Sequence, residues 1–282
     1  MKLGFLDLLG DLEHTIELIG VADAAGLTRY WLTEFPPQPS PMMLLGTLAG
    51  LSDRISVGTA AILFSYYAPR RTAHDYQLLE RLYEGRIDAG VASSTALPRF
   101  IADDLEDRDP AKLAAAYPAR FATFLHHLRN TPGNPAYDRE LAWSGAAAEP
   151  PRVWSLGSGR AAELAAGHGT GFGYPLMYSG SVDDPQAMQR YVRTFTPNPF
   201  LEQPRRVLAV SGYCGATDEQ ARAVAESWGI FTPHVIGSPA TCFTRLAALR
   251  DRYDADEIIW GDMNRVLAAR RAAIEALAAL AR

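Results

Sequence analysis

The amino-acid sequence predicts an α/β fold, a (β/α)8 TIM barrel forming one domain over residues 1–282, with insertions after strands four and six. Three observations lead there. Short apolar runs rich in β-branched residues alternate with amphipathic stretches along the whole chain, which is the grammar of βα units. About eight such runs fit within 282 residues, a length typical of this barrel. No G-x-G-x-x-G follows the first strand, so the doubly wound open sheet lacks its dinucleotide fingerprint.

Taken in order, residues 2–6 read as the first strand and 11–25 as its helix, with Gly26 where a C-cap glycine is expected. Residues 29–33 form a second strand, and a proline-rich loop, PPQPSP, leads to a helix over 42–51. Residues 55–63 read as a long buried strand, 71–83 as a helix and 86–91 as the fourth strand. The rhythm then breaks, and 95–151 hold one convincing helix, 111–129, within a polar remainder marked by glycine and proline. It resumes with a strand at 153–156, a helix at 160–167 and a strand at 171–175. A second excursion, 177–204, contains a helix over 184–195. Strand 206–213, helix 218–228, an extra helix 238–252, strand 257–260 and helix 265–280 complete the chain.

Composition narrows the function classes. With 48% hydrophobic and 21% charged residues the chain belongs among globular proteins, not disordered or collagenous ones. A net charge of −5 argues against nucleic acid, whose phosphates require concentrated positive charge. Cys214 and Cys242 read as two isolated, buried thiols, neither a disulfide framework nor a zinc site. His126 and His127 are adjacent and point to different helix faces, and His14, His168 and His234 stand apart with no acidic cluster at ligand spacing, so no metal site is expected. The amino terminus lacks the pattern of a secretory signal, and no run approaches the ~18 apolar residues of a membrane span. A cytoplasmic protein is the expectation.

In barrels, chemistry lies at the C-terminal ends of the strands. Strand two ends in Thr33-Glu34-Phe35, strand three in Phe64-Ser65-Tyr66-Tyr67, strand four in Ala92-Ser93-Ser94-Thr95 and strand five in Leu156-Gly157-Ser158-Gly159-Arg160. Aromatic walls beside small polar groups suit a flat, phosphate-bearing ligand. The glycines of 157–160 let backbone approach a ligand, the following helix start presents free N–H groups, and Arg160 adds charge. The same residues also read as a plain strand-to-helix turn capped by Ser158. Glu34 reads equally as a general acid or base, a partner for a ring nitrogen, or a holder of the neighbouring loop. With no G-x-S-x-G and no phosphate-binding P-loop, serine hydrolysis and nucleotide hydrolysis lose their signatures.

Several segments, in the right order, resemble the luciferase-like monooxygenase family through most of the chain. ADAAG at 22–26 followed by RYWLTE at 29–34 is similar to the family's helix running into an A-W-x-x-E-H-H strand. ISVGTAA at 55–61 resembles its I-x-V-G-T-A strand, and LLERLYEGRIDAG at 78–90 resembles L-L-x-x-L-S-x-G-R-x-x-L-G, the most specific piece. VWSLGSGRAAELAA at 153–166 is similar to V-W-L-L-G-S-S-x-x-S-A-x-L-A-A, and 236–249 with 255–259 to V-G-S-P-E-x-V-x-x-x-L followed by A-D-E.

The resemblance implies a monooxygenase that takes reduced FMN from a separate flavin reductase and uses O2 on a small to medium organic substrate. Deazaflavin-dependent hydride transfer in the same barrel is the alternative, and a degenerate, non-catalytic binding barrel is the third reading. It implies that Ala60-Ala61, joined by a non-proline cis peptide, lie under the flavin ring. It places the flavin phosphate at Gly157, Ser158, Gly159 and Arg160, with Ser93 nearby. Glu34 and Tyr66 are then the catalytic candidates, Phe35, Phe64 and Tyr67 the substrate wall, and a homodimer through helices two and three the assembly. The chain also departs from the pattern: Phe35 and Pro36 replace the paired histidines, Ser93 replaces an arginine, and His74 replaces an acidic residue beside a retained Asp75.

Overall fold

The computed structural model describes residues 1–8, 11–34, 40–93, 109–129, 149–178 and 180–282. Its parallel strands are β1 (Leu3–Asp7), β2 (Arg29–Leu32), β3 (Ser56–Thr59), β4 (Ile62–Leu63) and β5 (Ile87–Ala92), then β6 (Arg152–Leu156), β7 (Gly171–Pro175), β8 (Arg206–Cys214), β9 (Val235–Gly237) and β10 (Glu257–Asp262). The strands pair in the order β1-β2-β3-β5-β6-β7-β8 around a ring that closes where β10 joins both β8 and β1. β4 continues the course of β3 along β5, and β9 is a short addition beside β8, so eight strand positions form a closed TIM barrel.

The helices are α1 (Leu12–Ala25), α2 (Met42–Gly50), α3 (Pro69–Leu82), α4 (Pro110–Leu128), α5 (Arg160–His168), α6 (Gln186–Thr194), α7 (Asp218–Val224), α8 (Pro239–Tyr253) and α9 (Leu267–Ala281). Local chemistry sets their ends. The Asp11 side chain accepts the His14 N–H at the start of α1, and Gly26 ends that helix at φ +82° in the left-handed conformation expected of it. None of these helices is long and apolar enough to cross a membrane.

Three expectations change. The long third strand is two pieces, β3 and β4, interrupted at Ala60-Ala61, whose peptide is cis. The helix expected over 218–228 stops at Val224, because Trp228 and Phe231 turn back on each other through reciprocal backbone bonds of 3.0 and 2.7 Å. Both rings join the hydrophobic cluster inside the barrel mouth. The two cysteines are buried as expected but are not isolated: their thiols meet between β8 and α8, and that contact, with burial, pushes the Cys214 thiol far up.

Residues alternate between the barrel interior and the layer under the helices. Phe5 and Tyr30 face the helices, Leu6 and Trp31 the interior. In the helix layer, the fully buried Asp7 accepts from Thr15 of α1 (2.7 Å), Tyr30 of β2 (2.6 Å) and Arg270 of α9 (2.7 Å). Burial would raise that carboxyl, but Arg270 and the hydrogen bonds outweigh it and hold Asp7 below its ordinary value.

The lower end of the interior is ionic. Arg29 stacks between Trp31 and Trp154, 5.2 and 4.8 Å from the ring centres. It bonds Asp88 at 2.6 Å and Glu257 at 2.8 and 2.9 Å. Asp88 also receives Arg152 at 2.8 Å and the Trp31 indole N–H at 2.9 Å. Two guanidinium groups and two carboxylates thus neutralise one another, with Asp88 and Glu257 buried and Arg152 reaching partly to the surface, which is how buried charge becomes tolerable.

Candidate active site

The upper end opens into a cleft lined mostly by apolar side chains. Leu6, Trp31, Leu156, Met177, Tyr178 and Val207 supply its walls. Among the described residues Glu34 is the only charged side chain lining it.

Glu34 follows β2 and is held from one direction. The Leu63 N–H donates to its Oε2, and the Tyr67 hydroxyl donates to its Oε1. The Tyr67 oxygen also lies 2.9 Å from Ser40 Oγ. A phenol has one proton, so with that proton committed to Glu34 the serine hydroxyl is the donor here. Burial pushes the Glu34 carboxyl above its ordinary value, while the Tyr67 and Leu63 bonds act in the opposite direction. Tyr67 is raised too, by burial and then by the adjacent carboxylate.

Ala60 and Ala61 line the cleft beside Glu34, each 7% exposed. Ala60 N–H bonds Leu32 carbonyl at 2.7 Å, and Thr59 Oγ1 bonds the Gly90 carbonyl at 2.7 Å, which fixes this stretch between β2 and β5. The approach is close enough that a Cβ on Gly90 would stand 1.8 Å from the Thr59 carbonyl oxygen. Gly157 reaches the cleft at the end of β6 with φ +149°, and Gly159 follows at φ +52°, both conformations that favour glycine. No side chain caps α5, so Ser158 does not take the capping role, and it lies exposed with Gly159 and Arg160. The Ala161 and Ala162 N–H groups at the start of α5 bond the Ser158 and Gly159 carbonyls at 3.2 and 3.1 Å, Arg160 lies exposed beside them, and Glu163 in the same turn opposes an anion.

One side of the cleft is covered by residues after β7. Thr232 N–H donates to the Met177 carbonyl at 3.0 Å, and Tyr178 stacks on Phe231 at 5.4 Å between ring centres. Ser211 Oγ on β8 anchors the same turn through the Thr232 carbonyl at 2.7 Å. Burial raises the Tyr178 phenol to about 12, so it is neutral there.

Of the residues picked out from sequence, Glu34, Ala60, Ala61 and Gly157 meet at the cleft, and Tyr67 reaches Glu34. Phe64 does not line the cleft. It is fully buried behind it against Tyr117 and Phe124 of α4, because the single 3-10 turn over Phe64–Tyr66 breaks the strand alternation and turns its ring outward. Tyr66 lies in the same turn and Ser93 just past β5, where its carbonyl accepts from Ser65; neither lines the cleft. Phe35 lies outside the described residues. Sequence reading missed Trp31, Leu156, Met177 and Tyr178; for the first two the signal was their inward place in the two-residue alternation.

A family model described as luciferase-like monooxygenase matches residues 6–259, and the chain belongs to that family. Relatives include an uncharacterized protein of Bacillus subtilis (strain 168), YwcH, 28% identical over 216 residues, which are 74% of this chain and 64% of YwcH. The luciferase-like monooxygenase of Escherichia coli (strain K12) is 27% identical over 71% of this chain and 59% of its own. The chain thus spans roughly two thirds or less of the length of these curated relatives. Among solved structures, apo-MsnO8 shares the fold at TM-score 0.81 and 22% identity, covering 99% of this chain and 96% of that one. The oxygenating constituent of 3,6-diketocamphane monooxygenase from Pseudomonas putida, in complex with FMN, matches at TM-score 0.73 and 15% identity with coverages of 99% and 96%. The coenzyme F420 dependent tetrahydromethanopterin reductase of Methanopyrus kandleri matches at 0.68 and 13%, covering 99% and 98%.

Proposed function

We propose that this protein is a flavin-dependent monooxygenase that receives reduced FMN from a separate reductase and uses O2 on a small to medium, largely apolar organic substrate. The observation that carries the reading is the upper cleft itself: apolar walls with a single carboxylate, Glu34, held in place from one side by Tyr67 and the Leu63 N–H. The residues present fit a flat ring with a phosphate tail. Ala60 and Ala61 offer a surface free of bulky side chains, and the turn at Gly157 and Gly159 has no side-chain cap over the start of α5 and leaves Arg160 exposed beside it.

When bound, reduced flavin would supply the electrons that activate O2. Trp31, Leu156, Met177 and Tyr178 exclude water from the reacting region, which an oxygen-activating site requires. Glu34 orients the ring edge through a hydrogen bond or holds a proton beside it, a task helped by its raised carboxyl. The Gly157–Arg160 turn holds the phosphate. A homodimer through α2 and α3 belongs to the same proposal, supported by Met43 and Leu82, exposed at 78% and 62%.

Hydride transfer with a deazaflavin is the second reading, supported by the barrel shape shared with the F420 dependent reductase. Anaerobic calorimetry with reduced FMN, oxidised FMN and a reduced deazaflavin separates them. Micromolar binding of reduced FMN, lost in Ser158→Asp, is expected. Preference for the deazaflavin would move the assignment to hydride transfer. Binding of none of the three would overturn both and leave a non-catalytic barrel.

A further inference from the structure

Helix α4 sends Arg120 to the turn that follows β4. Its Nη2 donates to the Phe64 carbonyl at 3.1 Å and to the Tyr67 carbonyl, and the guanidinium lies 6.0 Å from the centre of the Phe64 ring. Its Nε is buried without a hydrogen-bond partner. An arginine usually keeps its charged head in water, so one held against main-chain carbonyls is committed to fixing that backbone. The neighbouring contacts stiffen the same joint: Phe64 packs edge-on against Tyr117 and Phe124 of α4, with ring centres 6.4 and 5.2 Å away.

The turn held this way carries both donors to Glu34. Leu63, immediately before it, supplies the N–H on one carboxylate oxygen, and Tyr67, at its far end, supplies the hydroxyl on the other. The two carbonyls that Arg120 grips belong to Phe64 and Tyr67, so its grip spans the segment between those donors. Arg120 is not among the groups that shift the Glu34 carboxyl directly, whereas Tyr67 and Leu63 are. The phenol of Tyr76, from α3, senses both Glu34 and Tyr67, and the phenols of Tyr174 and Tyr178 line the same cleft.

We propose that Arg120 is a positioning residue for Glu34, acting through the 63–67 turn by keeping the Tyr67 hydroxyl and the Leu63 N–H aimed at the carboxylate. The contacts are independent of any ligand. Their consequence for cofactor binding rests on the flavin reading above. Removing Arg120 frees the turn, withdraws the Tyr67 proton from Glu34 and leaves burial less opposed, so the carboxyl rises further.

The test is a double-mutant cycle read on Glu34 itself. Protein labelled with 13C at glutamate carboxyls is titrated by NMR, with the Glu34 signal assigned by its loss in Glu34→Gln. Arg120→Met and Tyr67→Phe should each raise the Glu34 midpoint by about one pH unit, the double variant should go no further than either, and Arg120→Lys should restore most of it. Reduced FMN affinity should fall about tenfold in both single variants and no further in the double, the loss of one hydrogen bond to a charged group. An Arg120→Met protein that melts earlier with an unmoved Glu34 midpoint would overturn the proposal, as would additive shifts in the double variant. Should Arg120→Met not fold, Arg120→Lys carries the test: a smaller upward shift that vanishes in the Tyr67→Phe background supports it, and one that persists contradicts it. If Glu34 responds as described while wild type binds no reduced FMN, the cofactor reading fails and the positioning role stands.

Discussion

At the lower end of the barrel, Arg29 has an indole on each face and carboxylates at its nitrogens, and Asp88 is met by Arg29, Arg152 and the Trp31 indole N–H. At the upper end, a few residues along the same strands, Glu34 is met by Leu63 and Tyr67 and faces open space. Trp31 belongs to both, with its N–H directed down to Asp88 and its side chain forming part of the cleft wall. The difference teaches how one closed sheet is divided. Charge that is fully compensated on all sides closes the barrel, whereas a carboxylate bonded from one side is left for a ligand.

The largest expected effect lies in the lower cluster. Asp88→Ala leaves the largely buried Arg29 and the partly exposed Arg152 with one fewer carboxylate and should cost about 3 kcal/mol in denaturant unfolding. Reduced FMN affinity of the folded fraction should hardly change. A loss of affinity larger than the loss of stability would break the division between the two ends.

Acid should act on the same side of the comparison. Burial would raise Asp88, but Arg29 and Arg152 outweigh it and hold the carboxyl below its ordinary 3.8, and Asp7 is lowered likewise by Arg270 and its hydrogen bonds. Groups lowered in the folded state contribute stability that is present above the ordinary carboxylate value and lost as pH falls through the folded value. Stability should therefore decline as pH drops below about 4, and Asp88→Asn should flatten that decline in pH-dependent urea melts. An acid limb as steep as that of wild type in the variant would remove Asp88 from the account.

Smaller stability effects are expected above. Glu34→Gln keeps an oxygen for the Leu63 N–H and should change unfolding free energy by no more than about 1 kcal/mol, while weakening reduced FMN binding about tenfold. Ala209→Leu adds bulk to the cleft wall, where space exists, and should move stability by about 0.5 kcal/mol or less while abolishing ligand binding. If Glu34→Gln unfolded the protein as readily as Asp88→Ala, the carboxylate would be structural and the cleft reading would lose its main support.

The barrel was legible because the strands are short apolar runs alternating with amphipathic stretches, some with an end signal such as Gly26. The misread elements have local causes. β9 is three residues long, too short for any periodicity, and α7 stops early because Trp228 and Phe231 gain more by packing at the mouth than by extending a helix. Glu34 and Gly157 stood out because strand ends and glycines carry local information, whereas Ala60-Ala61 came from the family resemblance alone. The lower cluster did not, since Arg29, Asp88, Arg152 and Glu257 come from four separate strands and become partners only when the ring closes. The same holds for Arg120 and for the meeting of Cys214 with Cys242, contacts that depend on where a helix lies against a strand end. Phe64 was misplaced because alternation was carried one turn too far.

The most direct test of the divided interior is hydrogen–deuterium exchange with and without reduced FMN under anaerobic conditions. The account predicts ligand-dependent protection at residues 60–63, 157–162 and 177–178, with exchange at 29–31, 88 and 152 unchanged. Protection confined to the lower cluster, or no protection anywhere at saturating reduced FMN, would contradict it.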